Sequence, residues 1–406
     1  MTTASAIDAA LEAVLRPGQR IVAGQAFGMP RHLIEALPRH LDRLQGSSIF
    51  LGWVIGDFPE LPGVRIETFF PSGPFASEAG MAERNARYSR MTLHELTDAF
   101  ASGSRPVDVV LAQATPARDG RHSLGVTVDF IHAAATRAAS VVLETSPLVP
   151  WTGPASTIAA RPGVIAVDVP GGPMESTPAA PRDDAALATN LIEWIPDGAT
   201  LEFGIGQWFP PLIRHLAAAR KGLRLHTGQI GPWIAELIAA GAINPQGHVG
   251  TGAVGDADFY AWLDSTDMVE LAPASFTHDP ARLAGLPKFR AINSVYEVDL
   301  LGRANSELSP SGVRGGIAGL PDFARGAVAN PQGLSIVALA ATARGISRIV
   351  PHIACAPPSL DSGEIDVVVT EIGSADLRGL SPAERAEALI GIAAEEYRPM
   401  LRAAIS

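Results

Sequence analysis

The chain has 406 residues, more than a single hydrophobic core usually holds, so its length predicts two or three domains, with two the better fit. Hydrophobic residues make up 47% and charged residues 18%, with no apolar run near the roughly 18 residues of a membrane span, a profile that fits a globular enzyme and argues against membrane insertion. The 31 basic residues set against 42 acidic ones leave a formal charge of −11, which disfavours broad contact with nucleic acid.

Met1 to Arg20 carries Asp8 and Glu12 and has no basic region ahead of an apolar core. It reads as an amphipathic helix rather than a secretion signal, and a cytoplasmic protein is expected. Short β-branched runs follow at Arg20-Ile-Val-Ala-Gly24, Val107 to Gln113, Ser140 to Glu144 and Gly163 to Val169. Between them lie helix-length amphipathic segments at Arg31 to Leu44, Leu93 to Ala101 and Val128 to Ala139. Alternation of this kind predicts α/β architecture built from βαβ units. The Pro/Gly-rich stretch Pro170 to Pro181 has no periodicity, which sets the expected domains at 1–181 and 182–406.

The second half restarts the pattern with a helix over Asp184 to Trp194, a strand over Thr200 to Phe203, a glycine turn and a helix over Pro211 to Ala219. Strands are predicted at Met268 to Leu271, Ala291 to Leu300, Ser335 to Leu339 and Asp366 to Thr370. A helix from Ser381 to Ala394 closes the chain, with Ser381 as N-cap and Glu384 at the capping-box position. Two similar open α/β domains facing across a cleft are the expected fold.

Several enzyme classes lose support on inspection. Neither Lys221 nor Lys288 stands in a phosphate-binding loop, no G-x-S-x-G elbow occurs, and His94-Glu95-Leu96-Thr97-Asp98 fails the H-E-x-x-H pattern. Gly204-Ile205-Gly206 sits where a dinucleotide pyrophosphate binds, but Phe209 occupies the place of the third glycine. Cys355 is the only cysteine, which excludes an intrachain disulfide, and the histidines are scattered, so no metal site is expected.

Glu297 stands in an otherwise largely apolar β-type run, Ile292-Asn-Ser-Val-Tyr-Glu-Val-Asp-Leu-Leu301, and alternation places it on one face with Asn293, Val295 and Asp299. With its continuation to Ser306, this segment resembles the active-glutamate segment of the acetyl-CoA hydrolase/transferase family, which includes 4-hydroxybutyrate CoA-transferases. Gly18 to Gly24, Ser123-Leu-Gly-Val-Thr-Val-Asp129, Leu201-Glu-Phe-Gly-Ile-Gly206 and Val368 to Gly379 resemble further family segments in the same order.

The resemblance implies an acyl-CoA:carboxylate CoA-transferase that works by ping-pong through a glutamyl-CoA thioester on Glu297, with acyl-CoA and a small carboxylic acid as substrates. It implies a homodimer, and the chemistry requires no metal or organic cofactor. An acyl-CoA hydrolase using the same glutamate is the first alternative, and a non-catalytic acyl-CoA-binding protein the second. Gly315 to Phe323 resembles the family's G-x-G-G-Q-x-D-F loop, which implies that Gly316, Ala318, Gly319 and Leu320 lie against the thioester. Here Ala318 replaces a glycine and Leu320 the glutamine.

Substrate contacts are expected from Thr251, Gly252, Gly204, Gly206, Gln207, Trp208 and His226. His226-Thr-Gly-Gln229 stands where the family usually has His-Ser-Glu-Met. Trp208 and Trp233 either sit in the core or reshape the acyl pocket toward a bulky or apolar acid. His226 either contacts substrate or satisfies a core hydrogen bond. Asp299 either raises the pKa of Glu297 or pairs locally, and Arg378 either pairs with Asp376 or contacts CoA.

Overall fold

The β-branched runs become strands of two largely parallel sheets, since segments covered on both faces favour Val, Ile and Leu throughout. The computed structural model describes residues 2–176, 185–204, 209–309, 312–313, 315–354 and 357–405. The first sheet contains β1 (Arg20–Ala23), β2 (Ser48–Leu51), β3 (Arg65–Thr68), β4 (Ala86–Tyr88), β5 (Val109–Ala114), β6 (Ser140–Thr145) and β7 (Val164–Asp168). Its order is β4-β3-β2-β1-β5-β6-β7, parallel throughout.

The second sheet begins with β8 (Thr200–Phe203), β9 (Arg224–Ile230), β10 (His248–Ala253), β11 (Val269–Leu271) and β12 (Arg290–Ser294). Two short strands, β13 (Glu297–Asp299) and β14 (Ala304–Asn305), come before β15 (Leu334–Ala338), and β16 (Ile349–Val350), β17 (Val367–Val369) and β18 (Ser374–Asp376) follow it. The second sheet runs β11-β10-β9-β8-β12-β15-β17-β18, with only the last pair antiparallel. The α/β expectation is met, with two open sheets. The expected boundary after residue 181 falls within 177–184, outside the described residues.

The strand predicted over Ala291 to Leu300 is a correction. It is two strands: β12 ends at Ser294, and β13 pairs instead with β14 and β16 in a small separate sheet. The backbone leaves the main sheet through Val295 and Tyr296, so the alternation that aligned Asn293 with Glu297 does not carry across the gap.

Helix α1 spans Thr3–Val14. The helix predicted from Arg31 to Leu44 stops at Ala36 and tightens into a 3-10 turn over Leu37–His40, because Pro38 has no amide hydrogen and its ring crowds the preceding turn. Helix α2 (Leu93–Ser102) starts at a capping box of Thr92 and Glu95. Helix α3 (Ile131–Arg137) starts later than Val128, since the Asp129 carboxylate accepts the Ile131 N–H at 3.0 Å and turns the chain. Helix α4 (Leu320–Ala329) follows the glycine-rich loop, and α5 (Pro382–Gly391) carries the expected capping box of Ser381 and Glu384.

One apolar cluster runs from Phe50, Phe69, Phe100 and Phe130 into Leu201, Phe203, Ile230 and Phe259, so the two sheets share a core. Backbone pairing reinforces the joint: Ala253 N–H donates to Val126 O at 2.8 Å and Val128 N–H to Thr251 O at 3.1 Å. Phe130 is fully buried, with ring centroids 5.3 Å from Phe69, 5.7 Å from Phe50 and 5.9 Å from Phe100. Phe130→Ala is expected to cost about 3–5 kcal/mol in urea unfolding. A loss below about 1 kcal/mol would show that this ring cluster does not hold the joint together.

Candidate active site

Parallel sheets leave ligand space beyond the carboxyl ends of their strands, where the chain turns into loops. In this fold the carboxyl ends of β1, β2 and β3 approach those of β8, β9, β10 and β12. They enclose a cavity of about 430 Å3 whose lining is mainly apolar, with Phe27, Trp53, Phe69, Phe70, Phe203 and Phe323 contributing rings. The polar groups in that lining are few and specific.

Glu202, at the end of β8, is 2% exposed and faces this space. Continuing the β8–β12 register sets residue 204 beside Asn293, whose Nδ2 donates to Glu202 Oε2 at 2.7 Å. A Cβ at Gly204 would lie 2.3 Å from Asn293 Oδ1, so glycine there is what lets the amide reach the carboxylate. Burial pushes the Glu202 carboxyl up to about 8, outweighing the hydrogen bonds from Asn293 and the Ile292 backbone.

Across the joint, Gln25 is fixed at both ends of its amide. Its Oε1 accepts the Trp53 N–H at 2.7 Å and its Nε2 donates to Asp129. Burial raises the Asp129 carboxyl to about 6, although Gln25 and the backbone N–H groups of Phe130 and Ile131 favour its ionised form. Both Asp129 oxygens therefore have structural work: one holds Gln25, the other starts α3.

The glycine-rich loop closes one wall. A Cβ at Gly316 would lie 2.2 Å from Phe69 O, and one at Gly319 would lie 2.3 Å from His278 Nε2, so both glycines are required by close approach. Ala318 occupies the left-handed region at φ +45°, where the family's glycine is free of strain. Its carbonyl accepts the Leu93 N–H at 2.9 Å, and Asp322 accepts the His94 N–H at 2.9 Å, which fastens the loop to the start of α2. Behind the loop, Thr277 Oγ1 lies 2.5 Å from Thr251 Oγ1 and 2.8 Å from His278 Nδ1. Burial lowers His278 to about 3, so it is neutral at physiological pH.

A sequence profile for the acetyl-CoA hydrolase/transferase C-terminal domain matches residues 255–405. The chain is 30% identical over 400 residues to 4-hydroxybutyrate coenzyme A transferase of Clostridium kluyveri, covering 94% of this chain and 92% of that one. It belongs to the acetyl-CoA hydrolase/transferase family. It is also 28% identical over 405 residues to succinyl-CoA:cyclohexane-1-carboxylate CoA transferase of Geobacter metallireducens, covering 95% and 91% of the two chains. The crystal structure of 4-hydroxybutyrate CoA-transferase from Porphyromonas gingivalis superposes with a TM-score of 0.81 at 29% identity, over 98% of this chain and 96% of that one. Relatives of these kinds are CoA-transferases and acetyl-CoA hydrolases, so this member of the acetyl-CoA hydrolase/transferase family is an enzyme of acyl-CoA transfer or hydrolysis.

Against that family pattern, the structure brings Gly204, Thr251, Gly252, Gly316, Ala318, Gly319 and Leu320 together around the cavity. Gly206, Gln207 and Trp208 lie outside the described residues. Glu297 does not line the cavity: it is half-buried, and its Oε1 accepts from Asn305 Nδ2 at 2.8 Å across the β13–β14 pair. Asp299 is fully buried and pairs locally with Arg303 at 2.6 Å. His226 also stands outside the lining, with Nε2 donating to the Thr277 carbonyl at 2.8 Å, and burial lowers its pKa to about 4. Trp233 packs edge-on against Phe203 and Phe209, and Arg378 pairs with Asp376 at 2.6 Å.

No group of three or more metal-ligating side chains occurs among the described residues, and no described helix is long and apolar enough to cross a membrane. Glu202, Asn293, Gln25 and Asp129 carry polar roles that sequence reasoning passed over. A lone carboxylate in the apolar strand Thr200 to Phe203 was the available signal, of the same kind that drew attention to Glu297.

Two outcomes are expected. The unfolded chain ionises residue 202 near 4.5, whereas the folded chain holds the proton up to about 8, so this group lowers stability as pH rises through that window and has no further effect outside it. Glu202→Gln removes the penalty, and its melting temperature relative to the parent should rise steadily between about pH 5 and pH 8. A pH-independent difference would mean that the carboxyl is not buried as a neutral acid. Ala318→Gly relieves the left-handed strain and should gain up to about 1 kcal/mol in urea unfolding, net of the extra freedom of an unfolded glycine.

Proposed function

We propose that the enzyme transfers CoA from an acyl-CoA to a carboxylic acid by ping-pong, through a thioester formed on one of its own glutamates. The observation that carries this reading is a buried carboxylate in a half-open, mostly apolar cavity walled by a glycine-rich loop. Exchange of CoA between two acids is nearly thermoneutral, so a protein carboxylate can hold the thioester between half-reactions. Backbone N–H groups of the loop and the side-chain amides of Gln25, Gln229 and Asn293 are the donors available to a developing oxyanion. No metal or organic cofactor is called for, and the same reading takes the enzyme to be a cytoplasmic homodimer.

The rings around the cavity support an apolar acyl group. Its volume exceeds the roughly 150 Å3 that accommodates benzene in an apolar cavity, leaving room for a ring together with the thioester. The Geobacter relative is named for cyclohexane-1-carboxylate, an acid of that shape. Hydrolysis is the second reading, favoured by Leu320 at the place of the family's loop glutamine, which leaves one polar group fewer beside the thioester.

Glu297 remains the glutamate that resemblance nominates, and for it to react its side chain must leave Asn305 and reach the cavity.

The test is steady-state exchange between cyclohexanecarbonyl-, benzoyl-, butyryl- or acetyl-CoA and a second acid. Parallel double-reciprocal lines and a borohydride-sensitive CoA adduct on the intact protein are expected. Turnover that is indifferent to added carboxylate and consumes only water would replace the transferase reading with hydrolysis.

A further inference from the structure

We propose that Glu202 is the carboxylate that carries CoA, in place of the Glu297 that resemblance nominates, and one strand away from Gly228, where the family's His-Ser-Glu-Met segment has a glutamate. This rests on the CoA-transfer reading above and names the reacting atom within it.

The sheet register makes the substitution geometrically direct. Strands β8 and β9 are parallel, with Leu201 beside Leu225, so Glu202 falls beside His226 and faces the same side of the sheet as Gly228. Gly228 also lines the cavity. It lies outside the left-handed region, so no backbone requirement demands glycine there. A Cβ at 228 would meet only Phe323 Cε2, at 3.8 Å, which leaves the space a longer side chain would use. In the family's His-Ser-Glu-Met segment the glutamate aligns with this position. Where the family segment has a carboxylate at 228 this chain has glycine, and it holds a carboxylate at 202, in the same cavity and on the same face.

Competing carboxylates fit the role less well. Among the described residues the cavity is lined by two, Glu202 and Asp129. Asp129 has one oxygen on Gln25 and the other on the Ile131 N–H, so its attack would unfasten α3. Glu297 is turned to Asn305 outside the lining. Asn293 is a positioning residue: its amide holds Oε2 and so sets the orientation of the carboxyl group in the cavity. Burial strips water from the ionised form and thereby strengthens it as a nucleophile.

The steps balance without an outside reagent. Glu202 first gives up its proton to solvent, and an oxygen lone pair of the resulting carboxylate forms a C–O bond to the acyl carbon as the C–S bond breaks, giving a mixed anhydride and CoA thiolate. The thiolate sulfur then bonds to Glu202 Cδ, and the anhydride C–O bond breaks to release the donor acid as its carboxylate. An acceptor carboxylate runs both steps backwards, and no net proton or electron is exchanged.

The test maps the adduct by peptide mass spectrometry after incubation with the acyl-CoA panel, in the parent chain, in Glu202→Gln and in the double variant Glu202→Gln/Gly228→Glu. The parent is expected to carry CoA on the peptide containing residue 202. Glu202→Gln should lose the adduct and on the order of a thousand-fold in turnover, with its fold verified by the melting profile described above. The double variant should regain an adduct, now on the peptide containing residue 228. An adduct on Glu297 or elsewhere, or full turnover by Glu202→Gln, overturns the assignment while leaving the transferase reading intact. Turnover that depends on Glu202 with no adduct, and with solvent oxygen passing only to the product, makes Glu202 a general base and overturns its covalent role. Absence of both turnover and adduct in the parent chain overturns the transferase reading itself.

Discussion

The site depends on a short length of backbone where the two sheets are joined. Residues Val126 to Val128 exchange hydrogen bonds with Thr251 to Ala253, so a loop from one sheet is registered against a strand of the other to within a hydrogen bond. Because both sheets are parallel, this joint brings two sets of strand ends together, and each set releases loops toward the other. The shared aromatic core behind the joint keeps the approach fixed. Gln25 and Asp129 from one side, and Glu202 and Asn293 from the other, then meet in one cavity although none of these pairs is close in a helix or turn.

Electrostatics at the joint run against stability. The two carboxyl groups that line the cavity, Glu202 and Asp129, are buried, and both have raised affinity for their protons. A protein selected for stability alone has no use for Glu202, whose only charged form is poorly solvated and whose partners are neutral amides. Asp129 is different, since its hydrogen bonds anchor Gln25 and the first turn of α3. A desolvated carboxyl in a cleft, held by no ion pair, is a candidate for chemistry rather than for support.

How much of this was legible in the sequence differs from element to element. The α/β alternation followed directly from short β-branched runs separated by amphipathic segments, and the capping boxes at Thr92 and Ser381 carry their own local logic. Thr251, Gly252 and the loop from Gly316 to Leu320 were found through resemblance, and they do meet. Glu297 shows where pattern fails: alternation continues through Val295 and Tyr296 even though the backbone changes sheets there, and nothing local marks the change. Glu202 stands within the short apolar strand Leu201-Glu-Phe-Gly, where nothing local distinguishes a buried acid from one on a solvated edge. Which strand ends face each other is set by contacts over 100 residues apart, beyond any local rule.

Gly204 adds a consequence for how the site tolerates substitution. The Asn293 amide occupies the volume that a methyl group at 204 would need, so glycine at 204 is a precondition for Glu202 to be gripped. Residues 202, 204 and 293 therefore form an epistatic unit, in which the value of each depends on the state of the other two. Mutational libraries that vary these positions singly sample mostly interrupted states, whereas a library that varies them as a block follows the route the geometry leaves open.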